Sequence, residues 1–116
     1  MYNPATVEKV SNATSMRYYT QLVFVKPGQE ERFHEFEDHV LPLLDLYGGR
    51  LLLRWRRTEG CVIGSDAGED PYEVHLVTFP TRTDFEAYSN DDARRSYLYL
   101  KDASVERVIL VEGARI

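Results

Sequence analysis

One cysteine among 116 residues, Cys61, leaves no partner for an internal disulfide, and a reducing compartment suits such a chain. No Cys/His cluster has the spacing of a zinc site, so no metal is expected. No apolar run approaches the roughly 20 residues that cross a bilayer, and no membrane association is expected. The first residues, MYNPATVEKVSNATS, are polar and lack the apolar stretch of a secretory signal. Asn12-Ala13-Thr14 therefore matches a glycosylation acceptor by letter only. Positive charge is also short: 14 Lys and Arg stand against 19 Asp and Glu, for a formal charge of -5. The basic residues are mostly split between Arg50–Arg57 and Arg94–Lys101, with no run typical of a nucleic-acid-binding arm, so no nucleic acid partner is expected. These absences point to a cytoplasmic protein.

What is present describes a small folded unit. The chain is 13.5 kDa with 43% hydrophobic and 28% charged residues, enough for one core. Residues 1–15 read as a loosely held N-terminal arm and residues 16–116 as a single domain. Tyr18 to Val25 is dense in β-branched and aromatic residues and reads as a strand, broken by Pro27-Gly28. An acidic first turn, Glu30 and Glu31, suits the positive end of a helix. Phe33, Phe36, Val40, Leu43, Leu44 and Tyr47 then recur at three- and four-residue spacings, as one helical face requires. Pro42 bends this helix or marks a fresh start, and Gly48-Gly49 ends it with a left-handed cap. Arg50 to Arg57 reads as the second strand, with Leu51, Leu53 and Trp55 on one face and Leu52, Arg54 and Arg56 on the other. Residues 58–71 form a long Gly- and Asp-rich connection. Tyr72 to Phe79 is the third strand, Thr81 or Thr83 caps a helix carrying Phe85 and Tyr88, a second helical piece runs from Asp91 to Leu100, and Glu106 to Glu112 is the last strand.

The order βαββαβ is the ferredoxin-like arrangement of the α+β class, an antiparallel sheet in the order 4-1-3-2 with two helices on one face. The other face carries Leu, Val and aromatic residues, and exposed on a monomer it would be a large apolar patch. Packing two such faces together about a two-fold axis covers both, which predicts a homodimer through the open sheet face.

Four short motifs at suitable distances over residues 18–113 resemble a known group: Val25-Lys26-Pro27-Gly28, Tyr47-Gly48-Gly49-Arg50, Thr78-Phe79-Pro80 and Val111-Glu112-Gly113. On these the chain resembles the dimeric α/β-barrel superfamily, near its small uncharacterised-domain families and the antibiotic-biosynthesis monooxygenase-like group. The resemblance implies a barrel of two ferredoxin-like sheets, with a pocket between each sheet and its own helices. It also implies a range that includes cofactor-free oxygenases, isomerases, haem-handling enzymes and proteins without known activity. No catalytic signature of the group is found here residue by residue, and no histidine is placed as a haem ligand.

The candidate site residues lie on the strands. His75 is mid-strand between Val74 and Leu76, and Arg54 and Arg56 flank Trp55. On a strand these groups point toward either the barrel or the helices, and a buried arginine needs a carboxylate such as Glu73 or Glu112. They are either a salt-bridged contact or a polar pocket in which His75 is acid or base and Arg54 holds an oxyanion. Tyr19, Gln21, Arg56 and Trp55 are candidate ligand-binding residues. If Leu22 and Phe24 face the helices, Tyr19 and Gln21 face the partner sheet, and Trp55 reads most simply as a core or interface anchor. His34 and His39 are five apart, not the four of a zinc-binding helix, so His34-Glu35-Phe36-Glu37-Asp38-His39 reads as the solvated side of its helix. Ser65 to Asp70 reads as an acidic turn rather than a calcium loop, and Cys61 has no recognisable base beside it. No Gly-rich phosphate loop follows a strand, and no cofactor is expected. The function expected is that of an uncharacterised homodimer with a pocket for a small molecule; the alternative is a cofactor-independent oxygenase or isomerase acting on a small aromatic or carbonyl compound.

Overall fold

The computed structural model describes residues 16–59 and 70–116. The N-terminal arm, Cys61 and residues 65–69 of the acidic turn lie outside the described residues. The elements are β1 (Arg17–Val25), α1 (Glu30–Val40), a 3-10 helix (Leu41–Tyr47), β2 (Arg50–Arg56), β3 (Glu73–Phe79), α2 (Arg82–Ser89), α3 (Asp92–Ser96), α4 (Leu98–Ser104) and β4 (Val105–Gly113). The four strands form one sheet in the order β2-β3-β1-β4, and every pair in it is antiparallel. This is the expected order. The second helical region is three short helices rather than two pieces, and within one chain the sheet stays open at β2 and β4.

Local chemistry sets the element ends. The Glu30 carboxylate accepts from the Gly28 backbone N–H at 2.8 Å, ahead of the first turn of α1. The α-helix stops at Val40 because Pro42 has no N–H to continue the ladder, and the chain tightens into the 3-10 turn. Gly48 ends that turn in the left-handed region, φ 70°, where its Cβ-less backbone is unstrained. Gly49 is required for a different reason: a Cβ there would lie 2.6 Å from Cε1 of Phe79, a fully buried ring. Thr81 caps α2, its hydroxyl accepting from the Asp84 N–H at 3.1 Å, and Asp91 caps α3 through the Arg94 N–H at 2.8 Å.

Cross-strand partners share a face, so register assigns each side chain. Tyr19 pairs with Val77 and Glu112, Gln21 with His75 and Leu110, and Val23 with Glu73 and Val108. Tyr19, Val77 and Phe79 cluster with Leu44 and Tyr88, so this is the helix-covered face. Leu22 and Phe24 therefore face away from the helices, and Tyr19 and Gln21 face toward them, the reverse of the expected parity. The remaining face shows two apolar rows across all four strands: Trp55–Val74–Leu22–Ile109, and Leu53–Leu76–Thr20–Val111. Leu53, Trp55, Ile109 and Val111 are exposed in the single chain.

Strand β2 breaks simple alternation. Leu51 pairs with Val77 and Leu53 with the adjacent Leu76, so Leu52 is an extra residue. Leu51 consequently shares the helix side with Arg54 and Arg56, while Leu53 and Trp55 take the open side. The expected grouping of Leu51 with Leu53 and Trp55 fails at this bulge.

Candidate functional site

A cleft of about 330 Å³ lies between the sheet and its own helices. Its floor is Gln21, Val23, His75, Val77, Val108 and Leu110; α1 and the 3-10 helix supply Phe33, Phe36, Glu37, Val40 and Leu44, and the later helices supply Phe85, Tyr88, Arg94 and Lys101. Most of the wall is apolar or aromatic. Tyr19 and Phe85 stack with ring centroids 4.0 Å apart, and Tyr88 closes the back by donating to the Val40 carbonyl at 3.1 Å.

The polar end is built on Glu73, which is 1% exposed. One of its oxygens accepts from Arg54 Nε at 3.1 Å and from Arg56 Nε at 2.8 Å; the other is 2.6 Å from His75 Nε2. Strand geometry explains the convergence. Glu73 and His75 are two apart on β3 and so share a face, and Arg56 and Arg54 are their direct partners on β2. Burial alone pushes the Glu73 carboxyl up, but hydrogen bonds and charge from His75 and Arg54 together outweigh it and hold the group below the ordinary range.

Glu37 enters the same end from α1 and is 6% exposed. Burial pushes its carboxyl up, and the nearby Glu73 charge adds to the rise against the opposing effects of His75, Arg54 and Arg94. Lys101 is shifted down, first by burial and then by the charge of Arg94. Among the described residues two buried guanidinium nitrogens, Arg54 Nη2 and Arg94 Nε, have no hydrogen-bond partner. Tyr19 donates to Glu112 at 2.9 Å, and burial followed by that bond raises its hydroxyl to about 12. The arrangement therefore offers an imidazole locked to a buried carboxylate, a second carboxyl biased toward its neutral form, and cations with unused donors. Among the described residues no group of three or more His, Cys, Asp or Glu could hold a metal ion.

No family model and no curated protein matches the chain. Solved structures do. A protein of unknown function from Rhodopseudomonas palustris superposes with a TM-score of 0.73 at 14% identity, over 100% of this chain and 95% of that one. A dimeric protein of unknown function from Bacteroides fragilis, with a ferredoxin-like fold, gives 0.67 at 11% identity over 87% and 97%. A dabb family protein from Mesorhizobium loti, also ferredoxin-like, gives 0.64 at 13% identity over 87% and 97%. The fold is ferredoxin-like. Further neighbours of the ferredoxin-like chain are NIPSNAP-type and antibiotic-biosynthesis monooxygenase-like proteins. At these identities the likeness establishes fold and leaves the chemistry to the site.

The sequence candidates distribute unevenly over this ferredoxin-like frame. His75, Tyr19 and Gln21 line the cleft. Arg54 and Arg56 stand beside it, tied to Glu73. Trp55 does not join them: it lies on the open sheet face, 48% exposed, because it alternates with Arg54 and Arg56 along β2. Glu37 was expected on the wet side of its helix and is instead buried. Its spacing carried the signal, since Phe33, Phe36, Glu37, Val40 and Leu44 form one continuous helical stripe. His34 leans outward, with Nε2 2.6 Å from the Tyr72 hydroxyl, and His39 stacks on Tyr97. Arg94 and Lys101 were visible only as members of a basic segment. Among the described residues no helix is long and apolar enough to cross a membrane.

Proposed function

We propose that this chain works as a cytoplasmic homodimer whose subunits each hold one small organic molecule in the cleft between sheet and helices. The cleft itself carries the reading: its 330 Å³ falls in the size range of ligand sites, and it combines apolar walls with a few converging polar groups. The two apolar rows on the open face support the dimer, since two such faces cover each other and would form the barrel that neither sheet closes alone. The Bacteroides fragilis neighbour, of the same fold, is dimeric. The lone cysteine suits a reducing compartment. A thermal-shift screen of small aromatic and carbonyl compounds tests the ligand part. Binding raises stability by mass action, and the shift should be lost when Val77→Trp fills the cleft. A shift that survives this change would place the site elsewhere.

A second reading is favoured by one arrangement. Glu37, biased toward its neutral form, and the His75–Glu73 pair put a proton donor and a proton acceptor in one cleft, as a cofactor-independent isomerase or oxygenase acting on a small aromatic or carbonyl compound would require. In it His75 moves the proton, and Arg54 steadies a developing oxyanion. Deuterium exchange into the acidic C–H positions of simple ketones, measured by NMR, should be accelerated by the wild type and not by His75→Gln. Equal exchange with both proteins would discard the catalytic reading.

A further inference from the structure

The polar end of the cleft is unevenly charged. Arg94 and Lys101 line it, against Glu37 as the one carboxyl among its described lining residues, and Arg54 and Arg56 stand beside it, bridged to Glu73. Glu73 is already engaged by Arg54, Arg56 and His75, and burial biases Glu37 toward the neutral acid. Among the described residues neither Arg94 nor Lys101 forms an ion pair within 4.0 Å. Arg94 is held in place all the same. It donates from Nη1 to the Ser89 carbonyl at 3.3 Å, and its guanidinium lies 5.2 Å from the Tyr88 ring centroid and 5.9 Å from that of Phe36. Its Nε–H is buried and has no acceptor among the described residues. In a chain with a formal charge of -5 this local excess of cations is not a background property.

We propose that the cleft takes a small carboxylic acid with an apolar, ring-bearing body, bound as its anion with the carboxylate on Arg94 and Lys101 and the body against Val77, Phe79, Phe85 and Tyr88. The inference rests on the reading of the cleft as a small-molecule site and specifies what that site selects. A planar guanidinium with an unused N–H is matched by a carboxylate, which accepts along the same plane. Burial pushes the Glu37 carboxyl up, and in its protonated form it adds one O–H donor on the same side, where an ionised Glu37 would repel the ligand. A phosphate is a poorer match, because its extra charge and further oxygens need donors on several sides, whereas Arg94 and Lys101 are the only Arg or Lys side chains among the cleft's described lining residues.

The test uses the full chain and two matched pairs of probes, benzoate with benzamide and 1-naphthoate with 1-naphthamide, titrated calorimetrically at neutral pH. At least one carboxylate should bind tenfold or more tightly than its amide. In Arg94→Met that preference should fall below threefold, because carboxylate affinity falls further than amide affinity. Should far-UV circular dichroism show that Arg94→Met has lost the fold, Lys101→Met on the later helix carries the same comparison. Equal affinity for carboxylate and amide would overturn the anion preference and leave the small-molecule site standing. A preference unchanged in the folded variant would also overturn the assignment to these cations. Failure of all four probes to bind would overturn both readings together.

Discussion

Replacing Glu73 with alanine removes a carboxylate that joins β2, β3 and the cleft. Three charge-assisted contacts are lost, to Arg54, Arg56 and His75. At about 1.5–3 kcal/mol each, their plain sum would exceed 4 kcal/mol. That sum is too large, because the Arg56 side chain is 44% exposed and Arg54 25% exposed, and both can turn toward water once released. His75, at 2% exposure, cannot. Counting the His75 contact in full and the Arg54 contact in part gives about 3 kcal/mol, the lower end of what breaking a buried pair costs. For a domain of this size that lowers Tm by about 12 °C. Urea titration followed by circular dichroism measures it directly. The pH dependence supplies a second check. The folded Glu73 carboxyl titrates below its ordinary value near 4.5, so its contribution is complete above that value and drains away as pH falls through the lower folded one. The gap between wild type and Glu73→Ala should therefore narrow in acid. A loss under about 1 kcal/mol at neutral pH, typical of a surface pair, would refute Glu73 as the anchor of the cluster.

Three further changes probe other parts of the fold. Glu37→Gln should do the opposite with pH: the native carboxyl titrates above its ordinary 4.5, so wild type loses stability as pH rises through the folded value, and the glutamine variant should gain a growing advantage from pH 4.5 upward. A pH-independent difference in Tm would contradict that. Leu53→Glu on the open face should convert a species of twice 13.5 kDa into one of 13.5 kDa by sedimentation, and an unchanged mass would exclude that face as the contact. Gly49→Ala should cost about 1–3 kcal/mol by overpacking, since the new methyl meets a Phe79 ring with no room to retreat; a neutral effect on Tm would show that the 3-10 turn shifts instead.

Element order was legible because it follows from local signals: Pro27-Gly28, Pro42, Gly48-Gly49 and Thr81 or Thr83 each mark an end by backbone chemistry, and the strand order followed from the βαββαβ pattern. Face assignment was harder. β1 carries large apolar or aromatic side chains on both sides, Tyr19 and Val23 inward and Leu22 and Phe24 outward, so hydrophobicity does not say which side meets the helices. On β2 the extra residue reversed the parity between Leu51 and Leu53. His75 and Arg54 stood out as polar groups among apolar strand neighbours, and that contrast did lead to the polar end of the cleft. Glu37 was lost because its neighbours in sequence, His34, Glu35, Asp38 and His39, are charged or polar, although its helical neighbours Phe33, Phe36 and Val40 are not. A carboxylate on a buried stripe is legible only when the stripe is read before the residue type.

The extra residue on β2 also bears on how this chain is compared with others. Leu51 and Leu53 already hold consecutive partners, Val77 and Leu76, so a chain lacking Leu52 would keep every pair and every face. Alignments with distant relatives across this strand therefore need freedom to open a one-residue gap. Without it, Arg54 and Arg56 would be matched against residues of the opposite face, and a shared polar cluster would be scored as unrelated positions.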